Sequence, residues 1–363
     1  MDSRDTVLLN CRELHSFVKE ILEKNGFSPE DSGITADVLL AADRRGIMSH
    51  GVARLATYMR RLGNGLIAPD ADMKIVKETP VSLVVDGSAG MGHPVAYRTM
   101  KKCIDKAKSG FMCLASIRNS NHYGIAGYYT QMALDENMIG ISMTNSESLV
   151  VPTFGKDAFL GTNPISIGVP AADCRPFLLD MATSTVPVGK VEVYSRAEKE
   201  MPDSWATDET GRPATDAAHV LNNVKQGKKG GLLPLGGAVE ETGGHKGYGL
   251  AAMVDIFCGV FSSGKTGSDV YGTPDSPPGV AHFVGAVNPE AFSSLEEIAA
   301  NMDHYLGMLR NAGKGAGYDR IYVAGEKEYE AEERNRVTVP VQAKVFSTLN
   351  GLGSQWGLKL EEA

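Results

Sequence analysis

The stretch from Pro94 to Thr144 constrains the fold more than any other part of the chain. Helical and buried-strand patterns alternate there. Pro94 to Lys108 reads as helix, Phe111 to Ile117 as strand, Tyr123 to Glu136 as helix and Met138 to Thr144 as strand. Apolar strands of this kind need cover on their faces, so the series predicts an α/β domain with helices laid on a sheet. A helical region is expected ahead of it. Leu14, Phe17, Val18, Ile21 and Leu22 fall on one helical face, and Asn25-Gly26 stops it. Ser28-Pro29-Glu30-Asp31 supplies a cap, a first-turn proline and first-turn acids for a helix reaching about Arg45. A third helix is expected from Ser49 to Leu62, with Leu55, Tyr58, Met59 and Leu62 for packing. Short strands follow at Met73 to Val76 and Val81 to Val85.

Glycine and proline density rises through Val151-Pro152, Gly161-Thr162-Asn163-Pro164 and Val169-Pro170, so loops joining short strands are expected, with Phe177 to Met181 as a buried strand. Residues 199–243 read as more solvated. Further helices are expected at Gly247 to Phe261, Phe292 to Arg310 and Gln342 to Leu349, with a linker around Gly313, Gly315 and Gly317.

Charge and cysteine usage narrow the function classes. The formal net charge of −8 argues against a generally basic, nucleic-acid-binding surface. Five widely spaced cysteines form no close ligand pair, and their odd number favours reduced thiols in the cytoplasm. Met1 to Asp5 lacks the basic-then-apolar order of a signal peptide, and no apolar run approaches the ~20 residues that span a membrane. A soluble cytoplasmic protein is expected.

The usual nucleotide signatures are missing or misplaced. No GxGxxG follows a strand. Gly259 to Thr266 matches the phosphate-loop pattern formally, but a helical pattern precedes it and a proline- and glycine-rich run follows. A phosphate loop needs the reverse order, strand then helix. The eight histidines form neither HxxxH nor HExxH, and no metal is expected.

Polar residues concentrate in five other segments. In Ser49-His50-Gly51-Val52-Ala53-Arg54, a helix would put His50 and Arg54 on one side, a proton-exchanging ring beside a carboxylate fork. A capping serine, a packed histidine and a surface arginine explain the same spacing. Ser116 to Gly124 lies where a buried strand hands over to a helix. His122 there suits acid/base work, while Ser120 and Asn121 equally suit helix capping. Thr162-Asn163-Pro164 and Asp180-Met181-Ala182-Thr183-Ser184 flank apolar runs. Asp180 is placed to orient a histidine, bind a cofactor amide or cap a helix. Gly243 to Gly249 offers flexible backbone, exposed amides and Lys246 before a helix, which suits an anionic group.

Taken in order, these five segments closely resemble the malate/L-lactate dehydrogenase family that lacks the ordinary Rossmann fingerprint. Ureidoglycolate and sulfolactate dehydrogenases, diketogulonate reductases and cyclic imino-acid reductases are its relatives. The resemblance implies a non-Rossmann α/β fold with a mixed sheet and a helical N-terminal region. It also implies a homodimer and an NAD- or NADP-dependent oxidoreductase acting on a small carboxylate. By the match, His122 is the acid/base residue, with His50 beside it and Arg54, Ser49 and Ser120 on the substrate. Ser146, Thr162, Asn163, Asp180, Met181, Ala182 and Lys246 line the cofactor, and Asp180 has a further role in setting a histidine tautomer. Residues 1–118 would form the N-terminal helices and the substrate and dimerisation region, 119–310 the cofactor-binding domain, and 311–363 a segment returning to the N-terminal domain. Asp216-Ala217-Ala218 departs from the family's usual Asp-Pro, a change expected to touch a loop more than the reaction.

The expected reaction moves a hydride between nicotinamide and C2 of a 2-hydroxy or 2-oxo acid, malate or L-lactate first. The relatives' substrates are the alternatives. A phosphoryl-transfer enzyme using Gly259 to Thr266, or a catalytically silent small-acid-binding protein, are the readings from other classes.

Overall fold

The computed structural model describes residues 6–227, 229–271 and 277–363. The N-terminal Met1 to Asp5 and residues 272–276 of the proline-rich run lie outside them. Strand β1 (Thr6–Asn10) leads into helices α1 (Cys11–Lys24), α2 (Pro29–Arg44) and α3 (Leu55–Gly63). Asn10 and Ser28 cap α1 and α2 through their side chains, as their positions before the apolar pattern require. Strands β2 (Lys74–Glu78) and β3 (Ser82–Asp86), helix α4 (Gly92–Gly110), strand β4 (Met112–Ser120), helix α5 (Ala126–Leu134) and strand β5 (Ile139–Thr144) realise the predicted alternation. Then come β6 (Ile165–Val169), β7 (Phe177–Met181), α6 (Val188–Arg196), β8 (Ala206–Thr207), α7 (Ala217–Gly227) and β9 (Gly231–Leu232). The chain ends with α8 (Gly244–Asp255), β10 (Val280–Val287), α9 (Leu295–Arg310), α10 (Glu326–Arg334), β11 (Thr338–Gln342) and α11 (Ala343–Ser354).

Seven strands form one mixed sheet in the order β2-β3-β4-β10-β5-β6-β7. Alternation along β4 serves its two faces. Cys113, Ala115 and Ile117 join a core under α4 and α5, whereas Leu114 packs with α8 residues on the opposite side. The N-terminal helices form a separate core with Val339, Val341, Leu349 and Leu360, and β1 pairs antiparallel with β11. The last segment therefore packs on the first. The division expected at 118/119 falls inside β4, so the N-terminal region and the α/β region share one sheet.

Three expectations change. Residues 199–243 are not simply solvated: Met201, Ala206, Ala214, Val220 and Leu232 are buried in a small core of their own. The helix expected at Gly247 to Phe261 is α8 followed by a π-turn at Ile256–Val260. The π-turn leaves carbonyls without their usual partners, and the Ser116 hydroxyl of β4 serves two of them, on Phe257 (2.7 Å) and Cys258 (2.9 Å). At Asp216-Ala217-Ala218, the Asp216 carboxylate accepts from the His219 N–H and opens α7.

Register settles where chemistry can gather. β3 runs parallel to β4, and β10 runs antiparallel to both β4 and β5. Met143 of β5 pairs with Ile165 of β6, which pairs with Met181 of β7. One end of the sheet consequently collects the residues after β3, β4, β5 and β7 and those before β6 and β10. Loops at the carboxyl ends of strands are where α/β sheets bind ligands.

Candidate active site

His122 sits just beyond the end of β4, its ring recessed but not sealed from solvent. The Tyr58 hydroxyl lies 2.7 Å from Nδ1, and the Gly124 backbone N–H donates to the same nitrogen at 3.3 Å. The ring of His50 is 5.4 Å away, centroid to centroid. Desolvation holds His122 well below the ordinary imidazole range, helped by His50 and by the Arg54 charge. Desolvation and Arg54 likewise push His50 down to about 4. Both rings are neutral at pH 7.

The helical spacing expected for His50 and Arg54 is not how they meet. Ser49 to Gly51 form a turn, Val52–Arg54 a single 3₁₀ turn, and α3 begins only at Leu55. Ser49 does the positioning. Its Oγ lies 2.9 Å from His50 Nδ1, and its carbonyl accepts from Arg54 Nε at 2.6 Å. With Nε held, the terminal nitrogens of Arg54 remain for a carboxylate. Beneath the turn, the buried Asp43 carboxylate accepts from the Val52 N–H at 2.8 Å and fills the space where a Cβ on Gly51 would stand. Only glycine fits there.

Several expected residues take other places. Ser120 ends β4, and α5 starts at Ala126, so Ser120 caps no helix. Its hydroxyl lies in the interior, 2.9 Å from Nε2 of His282. Asn121 is buried, its amide donating to the carbonyls of Ala89 (2.9 Å) and Gly90 (3.0 Å). Asp180 accepts from the Gly127 N–H at 2.7 Å and so satisfies the start of α5. The partner that orients His122 is Tyr58. Burial raises Asp180 to about 6. Arg118 is tied to Asp86 (3.0 Å) and the Ser262 carbonyl (3.1 Å). Lys265 donates to the Pro277 carbonyl at 3.1 Å, and the Gly259 stretch belongs to the π-turn, so this segment lacks a phosphate loop's strand–loop–helix order.

Two participants were not legible as such. In the sequence, Tyr58 falls among the packing positions of a helical pattern. His93, in the first turn of α4, is fully buried with neither ring nitrogen hydrogen-bonded, 5.3 Å from the Tyr58 ring and 6.5 Å from His122. Desolvation lowers it to about 3. Nothing in its spacing distinguished it from a packed histidine.

The residues expected to line the cofactor form a continuous wall. The Thr162 N–H donates to Ser146 Oγ at 3.1 Å. Thr183 returns its hydroxyl to the carbonyls of Thr162 (3.1 Å) and Asn163 (3.0 Å), which joins the loop after β7, with Met181 and Ala182, to the loop before β6. Asn163 is buried, its amide on the Ala251 carbonyl of α8 at 2.9 Å. Leu235 N–H donates to the Thr183 carbonyl, and the start of α8 packs against Leu235. The α8 amides are less free than expected, because Gly244 N–H is used by Val239 and Lys246 N–H by Gly243. Anion attraction there rests on the helix dipole and the exposed Lys246 side chain. Half-exposed hydroxyls at Ser146 and Thr162, with a cation on a side-chain-poor turn, fit a nicotinamide dinucleotide. Among the described residues no cluster of three His, Cys, Asp or Glu could hold a metal, and no helix is long and apolar enough to cross a membrane.

A desolvated histidine, a guanidinium with free terminal nitrogens and a wall of hydroxyls gather at one end of the sheet. The chain belongs to the malate/L-lactate dehydrogenase family, which matches residues 9–350, and is a nicotinamide-dependent dehydrogenase. It is 44% identical over 348 residues to a malate dehydrogenase of Pyrococcus abyssi, covering 96% of this chain and 94% of that one. It is 35% identical to an L-sulfolactate dehydrogenase of Methanocaldococcus jannaschii, over 98% and 99% of the two chains. The crystal structure of a malate dehydrogenase from Entamoeba histolytica superposes with a TM-score of 0.93 at 37% identity, over 98% of this chain and 99% of that one.

Proposed function

We propose that the chain interconverts malate and oxaloacetate, with His122 as the acid/base residue and Arg54 on the C1 carboxylate. The observation that carries this reading is His122 itself, neutral and held through Nδ1 so that Nε2 is left for substrate. The bound nicotinamide supplies the hydride chemistry. Arg54 fixes the acid so that C2 is correctly placed, and such placement supplies a large part of a rate enhancement. In reduction His122 protonates the oxygen forming at C2; in oxidation it takes the hydroxyl proton. A carboxylate on Arg54 cancels part of the charge that depresses His122, so substrate binding itself favours the protonated ring. The relatives named malate dehydrogenase favour malate over L-lactate, a cyclic imino acid, diketogulonate or ureidoglycolate. A cytoplasmic homodimer completes the reading, with five reduced cysteines as its support for the compartment.

The test is a panel of 2-oxo and cyclic imino acids followed at the nicotinamide absorbance band with NADH and NADPH in turn. Oxaloacetate should give the highest kcat/KM, and the panel assigns the cofactor. Arg54→Lys keeps the charge but loses the two-point fork, so it should raise KM for the acid and leave cofactor affinity nearly constant. Loss of NADH binding with unchanged acid KM would move Arg54 to the cofactor side and sink its assignment.

A further inference from the structure

Arg54 and Arg61 lie seven residues apart, two helical turns or roughly 10 Å of rise, with Tyr58 between them on the same face. Tyr58, which reaches His122, therefore stands between the two arginines along the helix. The fields of both arginines act on the Tyr58 hydroxyl, and Tyr271 feels both as well. Arg61 is half-buried and held, its Nη1 donating to Tyr271 Oη at 2.8 Å and its guanidinium 4.2 Å from the centre of that ring. Tyr271 makes this contact from a left-handed backbone (φ 58°), which a bulky side chain seldom adopts. Among the described residues, neither Arg54 nor Arg61 forms an ion pair. A fixed, half-buried cation without a carboxylate is a site for an incoming anion.

We propose that Arg61, braced by Tyr271, is a specificity-determining residue that receives the second anionic group of the substrate. This rests on the reading that places the C1 carboxylate on Arg54. The substrate class is then a four-atom acid with an anion at each end, a distal carboxylate or sulfonate, with C2 between the arginines and facing His122. Malate and sulfolactate, the substrates named for the relatives at 44% and 35% identity, both carry that second anion. An acid with a methyl group at that end leaves Arg61 desolvated and unpaired, which is how a polar site rejects an apolar analogue.

The experiment compares oxaloacetate, 3-sulfopyruvate and pyruvate as substrates of the full chain and of Arg61→Gln, Arg61→Lys and Tyr271→Phe. NADH binding and thermal melting report whether each variant is folded. In Arg61→Gln the ratio of kcat/KM for oxaloacetate over pyruvate should fall by about 10- to 150-fold, the equivalent of one hydrogen bond to a charged group. Arg61→Lys and Tyr271→Phe should fall between wild type and Gln, and they carry the test if Arg61→Gln does not fold. A larger loss for 3-sulfopyruvate than for oxaloacetate identifies a sulfonate as the preferred distal group, and the reverse identifies a carboxylate. If all three acids lose equally, or the ratio is unmoved, Arg61 is not the distal anion site. If wild type reduces none of them with either cofactor, the proposed function itself falls, and the Arg61 assignment with it.

Discussion

The phenolic oxygen of Tyr58 and Nδ1 of His122 lie 2.7 Å apart, and this contact fixes how the histidine can work. The Gly124 N–H on the same nitrogen can only donate, so the resting neutral ring carries its hydrogen on Nε2. When the ring must instead accept a proton at Nε2, Nδ1 needs a partner that accepts. Tyr58 can do either, and the backbone cannot.

His122→Ala should therefore lower kcat by about 10²–10⁴-fold while NADH still binds. Tyr58→Phe removes one neutral hydrogen bond, about 1 kcal/mol or roughly fivefold in kcat/KM. The factor should be the same for oxidation and reduction, because a catalyst cannot move the overall equilibrium. Steady-state kinetics in both directions check both variants. Near-wild-type turnover in a folded His122→Ala would transfer the acid/base role, with His50 the next candidate.

The pH profile follows from the desolvated ring. Oxidation requires neutral His122, and the folded protein holds its pKa well below 6.5. kcat/KM for the hydroxy acid should thus stay flat as pH falls from 8 through 6.5 and decline only further into acid. An acid limb centred at 6.5 or higher, measured with saturating oxidised cofactor, is incompatible with this environment.

Much of the scaffold was legible because it is local. The cap at Ser28 and the alternation from α4 to β5 depend on neighbours within a few residues. β10 escaped because Val280–Val287 is a short apolar run whose position between β4 and β5 is set by pairing with distant strands. The same distance hid the site's partners. His122 stands out at a strand end, but its bond to Tyr58 spans 64 residues, and Asp180 reaches Gly127 across 53. Spacing predicted a helical His50–Arg54 pair, and the structure delivers that proximity through a turn centred on Ser49.

Gly51 gives a sharp test of that turn. Gly51→Ala would drive a methyl group into the buried Asp43 carboxylate, whose hydrogen bond to Val52 closes the turn. Overpacking of this kind costs about 1–3 kcal/mol. Melting should occur a few degrees lower, and the acid KM should rise because His50 and Arg54 shift with the backbone. An unchanged melting temperature and KM would mean that the turn relaxes freely and that Asp43 does not support it.

His282 predicts how the fold responds to acid. Its ring is fully buried between strands, with Nδ1 2.7 Å from Thr144 Oγ1 and Nε2 2.9 Å from Ser120 Oγ. Thr144 spends its own hydrogen on the carbonyls of Asn145 and Ala281, so Nδ1 donates to Thr144; the Asn121 carbonyl gives a protonated ring some support, but burial outweighs it. Burial lowers its pKa to about 3, against about 6.5 in the unfolded chain. Below pH 6.5 the unfolded state binds the extra proton, so this histidine's contribution is intact above 6.5 and lost as pH falls toward 3. The loss is about 1.4 kcal/mol per pH unit. His50 and His93, lowered to about 4 and 3, act in the same direction. Asp43 and Asp180, raised to about 7 and 6, act in the opposite one, because the folded state holds their protons. Neutral histidines outnumber these carboxyls, so urea-unfolding free energies should fall between pH 7.5 and 5.5. His282→Gln starts less stable, having lost a buried hydrogen bond, but should lose about 1.4 kcal/mol less over that interval. An identical pH slope in wild type and His282→Gln would show that His282 is not held neutral by the fold.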